Sequence, residues 1–161
     1  MKPRHAIKTR EKKRFALQIE KFFPGIKISP KSNIETAVIE GFRVFLVDGE
    51  ADFILLNQIF IPTISAVLKY NPISRYVVVD EGAICFIANG ADVMASGIVD
   101  ADTMIQEGDP VWVKEERYGK PLATGLALVN GEEMKNSKTG KAVKTTHYVG
   151  DKLWKHFSKS L

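Results

Sequence analysis

The sequence contains very little cysteine and no long hydrophobic run. Cys85 is the only cysteine among 161 residues, so no disulfide can form within the chain and nothing indicates an oxidising compartment. Its apolar neighbours predict a buried, inert thiol. No apolar stretch approaches the roughly 20 residues that span a bilayer. The basic first residues are not followed by the apolar core of a secretory signal, and the serine enrichment of a mitochondrial transit peptide is missing. We expect a cytoplasmic protein that does not bind membranes.

Residue types that bind metals or catalyse reactions are also sparse. One cysteine and three scattered histidines do not give the paired spacing of a zinc site. Asp48, Glu50 and Asp52 resemble the first ligands of a calcium loop. However, Phe53 and Ile59 occupy the positions that require glycine and glutamate. We therefore expect no metal, no cofactor and no enzymatic activity.

Positive charge is distributed unevenly along the chain. Residues 1–27 contain nine lysines and arginines against two acidic residues, and residues 114–161 contain ten against five. Residues 28–113 contain four against twelve. If the two basic ends meet in space, they attract a polyanion, and nucleic acid is the commonest candidate. The alternative is that these lysines only solvate two exposed ends.

Hydrophobic periodicity predicts a small α/β domain over residues 1–73. Apolar residues at i, i+4 and i+7 predict a helix over residues 9–23, which Pro24-Gly25 ends. Asp48-Gly49 is a strong hairpin signal, and Pro62 suits the first turn of a short helix. Asn71-Pro72 ends that helix and marks the domain boundary. The predicted strands are 34–39, 42–47 and 51–56.

Residues 74–161 are predicted to form a second, mostly β domain. Asp80 can cap a helix over residues 81–89, and the expected buried face of that helix is Ala83, Ile84, Ile87 and Ala88. Short strands separated by turns follow, a pattern typical of a small barrel. The overall class is α+β. The predicted strands are 76–79, 93–94, 110–114, 123–129, 142–145 and 147–149, and a last helical turn covers 151–156.

Residues 79–102 combine three glycines with small and apolar neighbours and contain no basic residue. This segment lacks both GxGxxG and a glycine-rich turn followed by Gly-Lys-Ser/Thr, which excludes a nucleotide phosphate loop. Glycine exposes backbone amides and lets another backbone approach closely. The segment could therefore hold a ribose-phosphate chain on helix-end amides. Alternatively, glycines at a helix end and in two turns need no ligand.

The stretch VDEGAICFIANGADVMASGI resembles the signature of the PUA domain, the RNA-binding module named after pseudouridine synthases and archaeosine transglycosylases. Later segments of the chain resemble the rest of that module: GDPVWV, GKPLATGLA and HYVGDKLW. The resemblance implies a C-terminal β pseudo-barrel over residues 74–161. The matching pairs are Gly82-Ala83, Gly90-Ala91, Val93-Met94 and Gly97-Ile98.

The first half of the chain contains FPGI at 23–26, the hairpin at 48–49 and PTISAVLKYNP at 62–72. These segments resemble the N-terminal domain of the malignant-T-cell-amplified-sequence family of translation-associated RNA-binding proteins. The family implies binding to tRNA or ribosomal RNA, contact with the small ribosomal subunit and a partner of the density-regulated-protein type. The alternative is an adaptor whose N-terminal sheet docks a translation factor, for which Phe45, Phe53 and Phe60 could furnish the surface if exposed.

By this resemblance, RNA contacts come from a helix start, the loop into the second strand and the closing strand. Many RNA-modifying relatives carry lysine where this chain has Asp92. A carboxylate repels phosphate, so either that contact is absent or Asp92 accepts a hydrogen bond from a base or a 2′-hydroxyl. The candidate RNA-binding residues are Gly82, Ala83, Gly90, Ala91, Asp92, Val93, Met94, Ala95, Ser96, Gly97, Lys144, His147 and Tyr148.

Positive charge must then come from other positions. Lysines 114, 120, 141, 144 and 152 are available, and the first helix carries a basic face opposite its apolar stripe. His147 and Tyr148 are neighbours in an alternating strand, so one points inward and the other outward. The outward ring could stack on an unpaired base, whereas Trp112 and Trp154 are expected in the core.

Overall fold

The computed structural model describes residues 4–158, which form two β-sheets flanked by helices. The first sheet has the strand order β1-β2-β3-β4-β5, and every neighbouring pair is antiparallel. Its elements are β1 (His5–Ala6), α1 (Thr9–Phe22), β2 (Ile34–Ile39), β3 (Phe42–Val47), β4 (Glu50–Leu56), β5 (Ile59–Pro62) and α2 (Ile64–Tyr70).

Tight turns set the register of this sheet, the first of them at Glu40-Gly41 between β2 and β3 with φ of 52° and 80°. Asp48-Gly49 joins β3 to β4 with φ of 50° and 87°, as a two-residue turn between right-twisted strands requires. Asn57-Gln58 makes the next turn with φ of 50° and 64°. No glycine marks that last turn, and for this reason the sequence prediction missed β5. Pro62 ends β5 and does not begin α2, so its predicted place in the helix was wrong.

The second sheet is a nearly closed barrel with the strand order β7-β11-β10-β9-β6-β8. Its β6–β9 pair is parallel, and the other pairs are antiparallel. Its elements are β6 (Tyr76–Val79), α3 (Glu81–Ala88), β7 (Val93–Met94), a 3₁₀ turn (Ala95–Gly97), β8 (Ile98–Ala101), β9 (Pro110–Glu115), β10 (Pro121–Ala127), α4 (Gly131–Asn136), β11 (Lys141–Tyr148) and α5 (Lys152–Ser158).

The barrel differs from the sequence prediction at several places. The prediction missed β8 entirely, and β10 lies two residues earlier than the predicted strand 123–129. A single strand, β11, replaces the two short strands predicted over 142–149. Asn130-Gly131 starts α4, a helix that was not predicted, and the Asn130 side chain accepts a hydrogen bond from the Glu133 amide at 2.9 Å. Gly131 packs so closely on the backbone of Asp102 that a side chain would clash there. This helix covers the barrel next to β8.

Two of the three hydrophobic clusters within residues 4–158 contain residues of both domains. Trp112 and Tyr76 of the barrel pack into the cluster beneath α1, which contains Phe15 and Phe45. Leu153 of α5 packs with the residues on the other face of the first sheet. The N-terminal sheet is therefore covered on both faces, and the barrel is held in a fixed position against it. No helix among residues 4–158 is both long and apolar enough to cross a membrane.

Candidate functional site

An open groove of about 640 Å³ runs along the glycine-marked segment, between α3 and the β7 strand with its 3₁₀ turn. Lys141 of β11 contributes to one side of it. Gly90, Ala95, Lys144, His147 and Tyr148 do not line the groove. The predicted residues that do line it are Gly82, Ala83, Ala91, Asp92, Val93, Met94, Ser96 and Gly97.

Close backbone packing shapes the floor of the groove. The Asp80 amide donates to the Gly97 carbonyl at 2.8 Å, which brings the 3₁₀ turn against the start of α3. A Cβ atom built on Gly97 would lie 3.0 Å from the Ala83 Cβ. Glycine at position 97 therefore serves this close approach. At Gly82 a Cβ atom would meet only Asp80 Oδ1, at 3.5 Å, so this backbone stays accessible from the groove.

The start of α3 is not arranged to receive a phosphate. Asp80 Oδ1 accepts a hydrogen bond from the Ala83 amide at 3.1 Å, so the side chain already uses a helix-end donor. Glu81 adds a second carboxylate in the first turn. The positive end of the helix dipole stabilises both carboxylates, and their negative charge disfavours a further anion there. The expectation that helix-end amides hold a ribose-phosphate chain is therefore not met at this helix.

Asp92 forms ion pairs with two lysines at the opposite side of the groove. Its Oδ2 lies 3.3 Å from Lys141 Nζ and 3.6 Å from Lys144 Nζ. Its Oδ1 accepts from the Thr145 amide at 3.0 Å, and the Thr145 hydroxyl donates to the Ala91 carbonyl at 3.0 Å. These contacts fix the loop before β7 to β11.

The ionisation of Asp92 follows from these neighbours. Partial burial opposes ionisation, but the Thr145 amide and the two ammonium groups outweigh it and lower the pKa of Asp92 below its usual value. Asp92 is thus ionised at neutral pH. One carboxylate and two ammonium groups leave a net positive charge, so Asp92 does not make this side of the groove repel phosphate.

His147 and Tyr148 point in opposite directions from β11, as alternation requires. His147 is 1% exposed, and its Nδ1 lies 2.8 Å from Asp151 Oδ2, so it cannot contact RNA directly. Tyr148 is half-buried and packs against the barrel core. A Cβ atom on Gly90 would lie 3.0 Å from the Tyr148 ring, so this ring rests on the Gly90 backbone behind the groove.

The Asp151 side chain forms hydrogen bonds at the end of β11. Its Oδ2 also accepts from the Tyr148 amide at 3.0 Å, and its Oδ1 accepts from the Trp154 amide at 2.7 Å. Burial opposes ionisation of Asp151, but the His147 contact and these two amides outweigh it and lower its pKa. The carboxylate therefore fixes the turn between β11 and α5 and, with it, the direction of Tyr148.

Sequence reasoning missed Phe86, which lines the groove with 68% of its surface exposed. The prediction gave α3 a wide buried face, yet Ile87 is the one fully buried residue of this helix. Cys85 is exposed, so its predicted burial was wrong. The sequence spacing could have indicated this position, since Phe86 follows Gly82 by four residues and both therefore lie on one face of the helix.

The other candidate lysines lie away from the groove lining. Lys114 Nζ lies over the rings of Tyr76 and Trp112, at 5.2 and 5.3 Å from their centroids. Lys120 lies near the exposed Tyr118 ring. Lys152 is exposed at the start of α5. Trp112 is buried as expected. Among residues 4–158 no group of histidine, cysteine and carboxylate side chains is arranged to hold a metal ion.

The N-terminal domain does not present the aromatic surface expected for an adaptor. Phe45 and Phe53 are 0% exposed and Phe60 is 2% exposed, because all three form the core under α1. The condition of exposure therefore fails, and these three rings do not furnish a docking surface. A different apolar cleft of about 410 Å³ lies between α1 and residues 26–34, and Lys12, Lys13 and Lys27 contribute to its lining.

Comparison with known proteins matches both halves of the chain. Residues 75–149 match the PUA domain, and residues 3–70 match a domain of unknown function designated DUF1947. An uncharacterised protein of Methanocaldococcus jannaschii is 44% identical over 96% of both chains. A hypothetical protein from Pyrococcus horikoshii has a similar crystal structure, with a TM-score of 0.84, 37% identity and coverage of 96% of this chain and 99% of that chain.

Eukaryotic relatives match most of the chain. Translation machinery-associated protein 20 of Schizosaccharomyces pombe is 31% identical, and the match covers 83% of this chain and 80% of that protein. Malignant T-cell-amplified sequence 1 of Rattus norvegicus is 28% identical, over 92% of this chain and 87% of that protein. The chain therefore belongs to the family of PUA-domain proteins that includes translation machinery-associated protein 20 and the malignant T-cell-amplified sequence proteins.

Proposed function

We propose that this protein is a non-enzymatic, cytoplasmic RNA-binding factor of translation, and that RNA binds in the groove beside α3. The observation that carries the proposal is the groove itself. Its glycine-marked wall is open, and Asp92 holds Lys141 and Lys144 at its other side. An exposed strip of main chain next to paired cations suits the shape and charge of a ribose-phosphate chain.

The proposed RNA is a tRNA acceptor end or a segment of ribosomal RNA on the small subunit. The names of the eukaryotic relatives support a role beside the translation machinery. Lysines 141 and 144 would neutralise phosphates, and the small residues of the groove would let the strand approach the backbone. Tyr148 would support the groove from behind through Gly90 and would not stack on a base.

A salt titration of tRNA binding to the full chain tests this proposal. Filter binding should show an affinity that falls steeply with salt, because each neutralised phosphate releases counterions. The double variant K141A/K144A should weaken binding and reduce the log–log salt slope by about 2. K31A is the matched control, since Lys31 is an exposed lysine of the N-terminal domain. Binding that does not respond to salt, or equal losses in both variants, would refute the proposal.

The apolar cleft beside α1 supports a second candidate function, the docking of an acidic protein segment. Lys13 and Lys27 border the cleft, and neither lysine lies in an ion pair among residues 4–158. Glu20 is the one acidic residue that lines the cleft. A translation factor of the density-regulated-protein type is the proposed partner. Calorimetric titration of that purified partner should show binding that K13E/K27E weakens at least about tenfold through charge repulsion. Unchanged affinity would exclude the cleft.

A further inference from the structure

Helix α3 has a second apolar face, away from the groove, that residues 4–158 leave partly uncovered. Ile84 is half-buried, Cys85 is exposed, and Ile87 is the one fully buried residue of this helix. An open cleft of about 530 Å³ lies beside this face, between α3 and the loop that joins β9 to β10. An apolar helix face without a covering element indicates a contact with another molecule.

The cleft and the groove lie on opposite faces of α3. Gly82 and Phe86 line the groove, whereas Glu81 and Ile84 line the cleft. Each residue advances an α-helix by about 100°, so these two pairs of side chains point in nearly opposite directions. A ligand in the groove therefore leaves the cleft free for a second molecule.

The β9–β10 loop holds an aromatic ring at the other side of the cleft. Tyr118 is 71% exposed. The buried Glu115 carboxylate accepts from the Tyr118 amide at 3.1 Å and from the Lys120 amide at 3.3 Å. The Gly119 amide donates to the Glu115 carbonyl at 3.2 Å. These hydrogen bonds fix the loop backbone, so little ordering entropy is lost when a partner covers Tyr118.

Carboxylates dominate the charge of this cleft. Glu81, Glu115 and Glu116 line it against Arg117 alone, although the whole chain has a net charge of +4. Glu81 and Glu116 are exposed, and within residues 4–158 neither forms an ion pair. The cleft therefore repels phosphate and attracts a cation. The Arg117 Cζ atom lies 5.3 Å from the centroid of the Tyr118 ring, so this ring already accepts a cation on its face.

We propose that this cleft binds a basic and apolar segment of a protein partner. A lysine or arginine side chain of the segment packs on Tyr118 and pairs with Glu81 and Glu116. A neighbouring apolar side chain of the segment covers Ile84. The inference goes beyond the proposed function and does not depend on it, because the cleft and the groove use opposite faces of α3.

Fluorescence anisotropy with two labelled peptides tests this docking on the full chain. One short peptide alternates arginine with leucine, and the other alternates glutamate with leucine. The basic peptide should bind, with an affinity that falls as salt is added, and the acidic peptide should not bind. Equal binding of the two peptides, or no binding of the basic one, would overturn the inference.

Substitutions in the cleft should weaken binding of the basic peptide. E81K/E116K should lower its affinity at least about tenfold through charge repulsion, and E81Q/E116Q should act in the same direction with less effect on the start of α3. Y118A should lower it about two- to fivefold, the range expected for a cation on an exposed ring, and Y118F should retain it. E107K/E132K is the matched control, since both glutamates are exposed residues of the barrel domain. Equal losses in E81K/E116K and in this control would overturn the site, and circular dichroism confirms that each variant is folded.

Cys85 reports directly on occupancy of the cleft. It is exposed, it is the one cysteine of the chain, and it follows Glu81 by four residues, which places both on one face of α3. Saturating basic peptide should protect Cys85 from alkylation by iodoacetamide, and E81Q/E116Q should show less protection at the same peptide concentration. Unchanged alkylation would overturn the site even if the peptide binds elsewhere. Protection by a blunt RNA hairpin in place of the basic peptide would assign the cleft to RNA and would overturn the inference as well.

Discussion

Asp92 and Lys141 form an ion pair across the β7–β11 edge of the groove, with 3.3 Å between Oδ2 and Nζ. Both lysines that Asp92 contacts remain largely exposed, so the pair does not remove them from solvent or from a ligand. Exposed ion pairs contribute little to stability, typically below about 1 kcal/mol. Asp92 therefore mainly affects the charge and position of the two lysines beside the groove.

Replacing Asp92 with asparagine should strengthen RNA binding. D92N keeps an oxygen that can accept from the Thr145 amide, but it removes the negative charge beside two lysines. The local charge rises by one, so affinity at low salt should increase about two- to fivefold and the salt slope should steepen. Filter binding over a salt series measures both quantities. Weaker binding by D92N would show instead that the Asp92 carboxylate accepts a hydrogen bond from the RNA.

Replacing Asp151 with asparagine should destabilise the protein at neutral pH but have little effect in acid. The ionised carboxylate accepts three hydrogen bonds, and losing the charged acceptor costs about 1.5–3 kcal/mol. Its pKa is lowered on folding, so this contribution is complete above the ordinary value of 3.8 and is lost as pH falls through the folded value.

Urea unfolding of wild type and D151N at a series of pH values measures this linkage. The difference in unfolding free energy should be constant from about pH 5 to 7 and should shrink below about pH 4. A difference that grows in acid would contradict the assignment.

The pKa of Asp52 shifts in the opposite direction, since burial outweighs its Lys69 and Tyr70 contacts and raises its pKa. Because folding raises this pKa, the stability that protonated Asp52 contributes is lost as pH rises from 3.8 through the folded value. D52N should remove this loss of unfolding free energy.

Alanine substitutions at two glycines with the same backbone conformation distinguish the cost of backbone strain from the effect of the Tyr148 contact behind the groove. Gly90 has φ +87° and Gly140 has φ +84°, so alanine at either position should cost about 1–2 kcal/mol. A Cβ atom at Gly90 would also press on the Tyr148 ring, whereas one at Gly140 meets nothing within 4 Å. G90A should therefore destabilise more than G140A and should also weaken RNA binding. Equal unfolding midpoints and equal affinities would show that the Tyr148 contact is unimportant.

Local sequence signals predicted the elements on which the groove is built. Asp80 marked the start of α3, and hydrophobic pattern alone placed β2, β3 and β7 at their observed bounds. These features depend on residues close in the chain. The open strip beside α3 was expected from the glycines and small residues of the same segment, and eight of the predicted contact residues line it.

Features that depend on distant contacts were not predictable in the same way. The burial of Phe53 depends on α1 packing over the first sheet, and the exposure of Phe86 depends on which face of α3 the barrel covers. The pairing of Asp92 with Lys141 joins residues on different strands, and no local pattern indicates it. His147 was one of two adjacent candidates, and only the packing of the barrel decides which of the two points inward.

The shared cores predict that the two domains unfold as one unit. Trp112 belongs to β9 but packs under α1, and its Nε1 donates to the Ser74 carbonyl at 2.9 Å. In urea, far-UV circular dichroism and tryptophan fluorescence of wild type should follow one coincident transition. W112A should lower the unfolding free energy by about 3–5 kcal/mol, whereas Y118A should change little because Tyr118 is an exposed residue of the same domain. Two separated wild-type transitions would show instead that the domains are energetically independent.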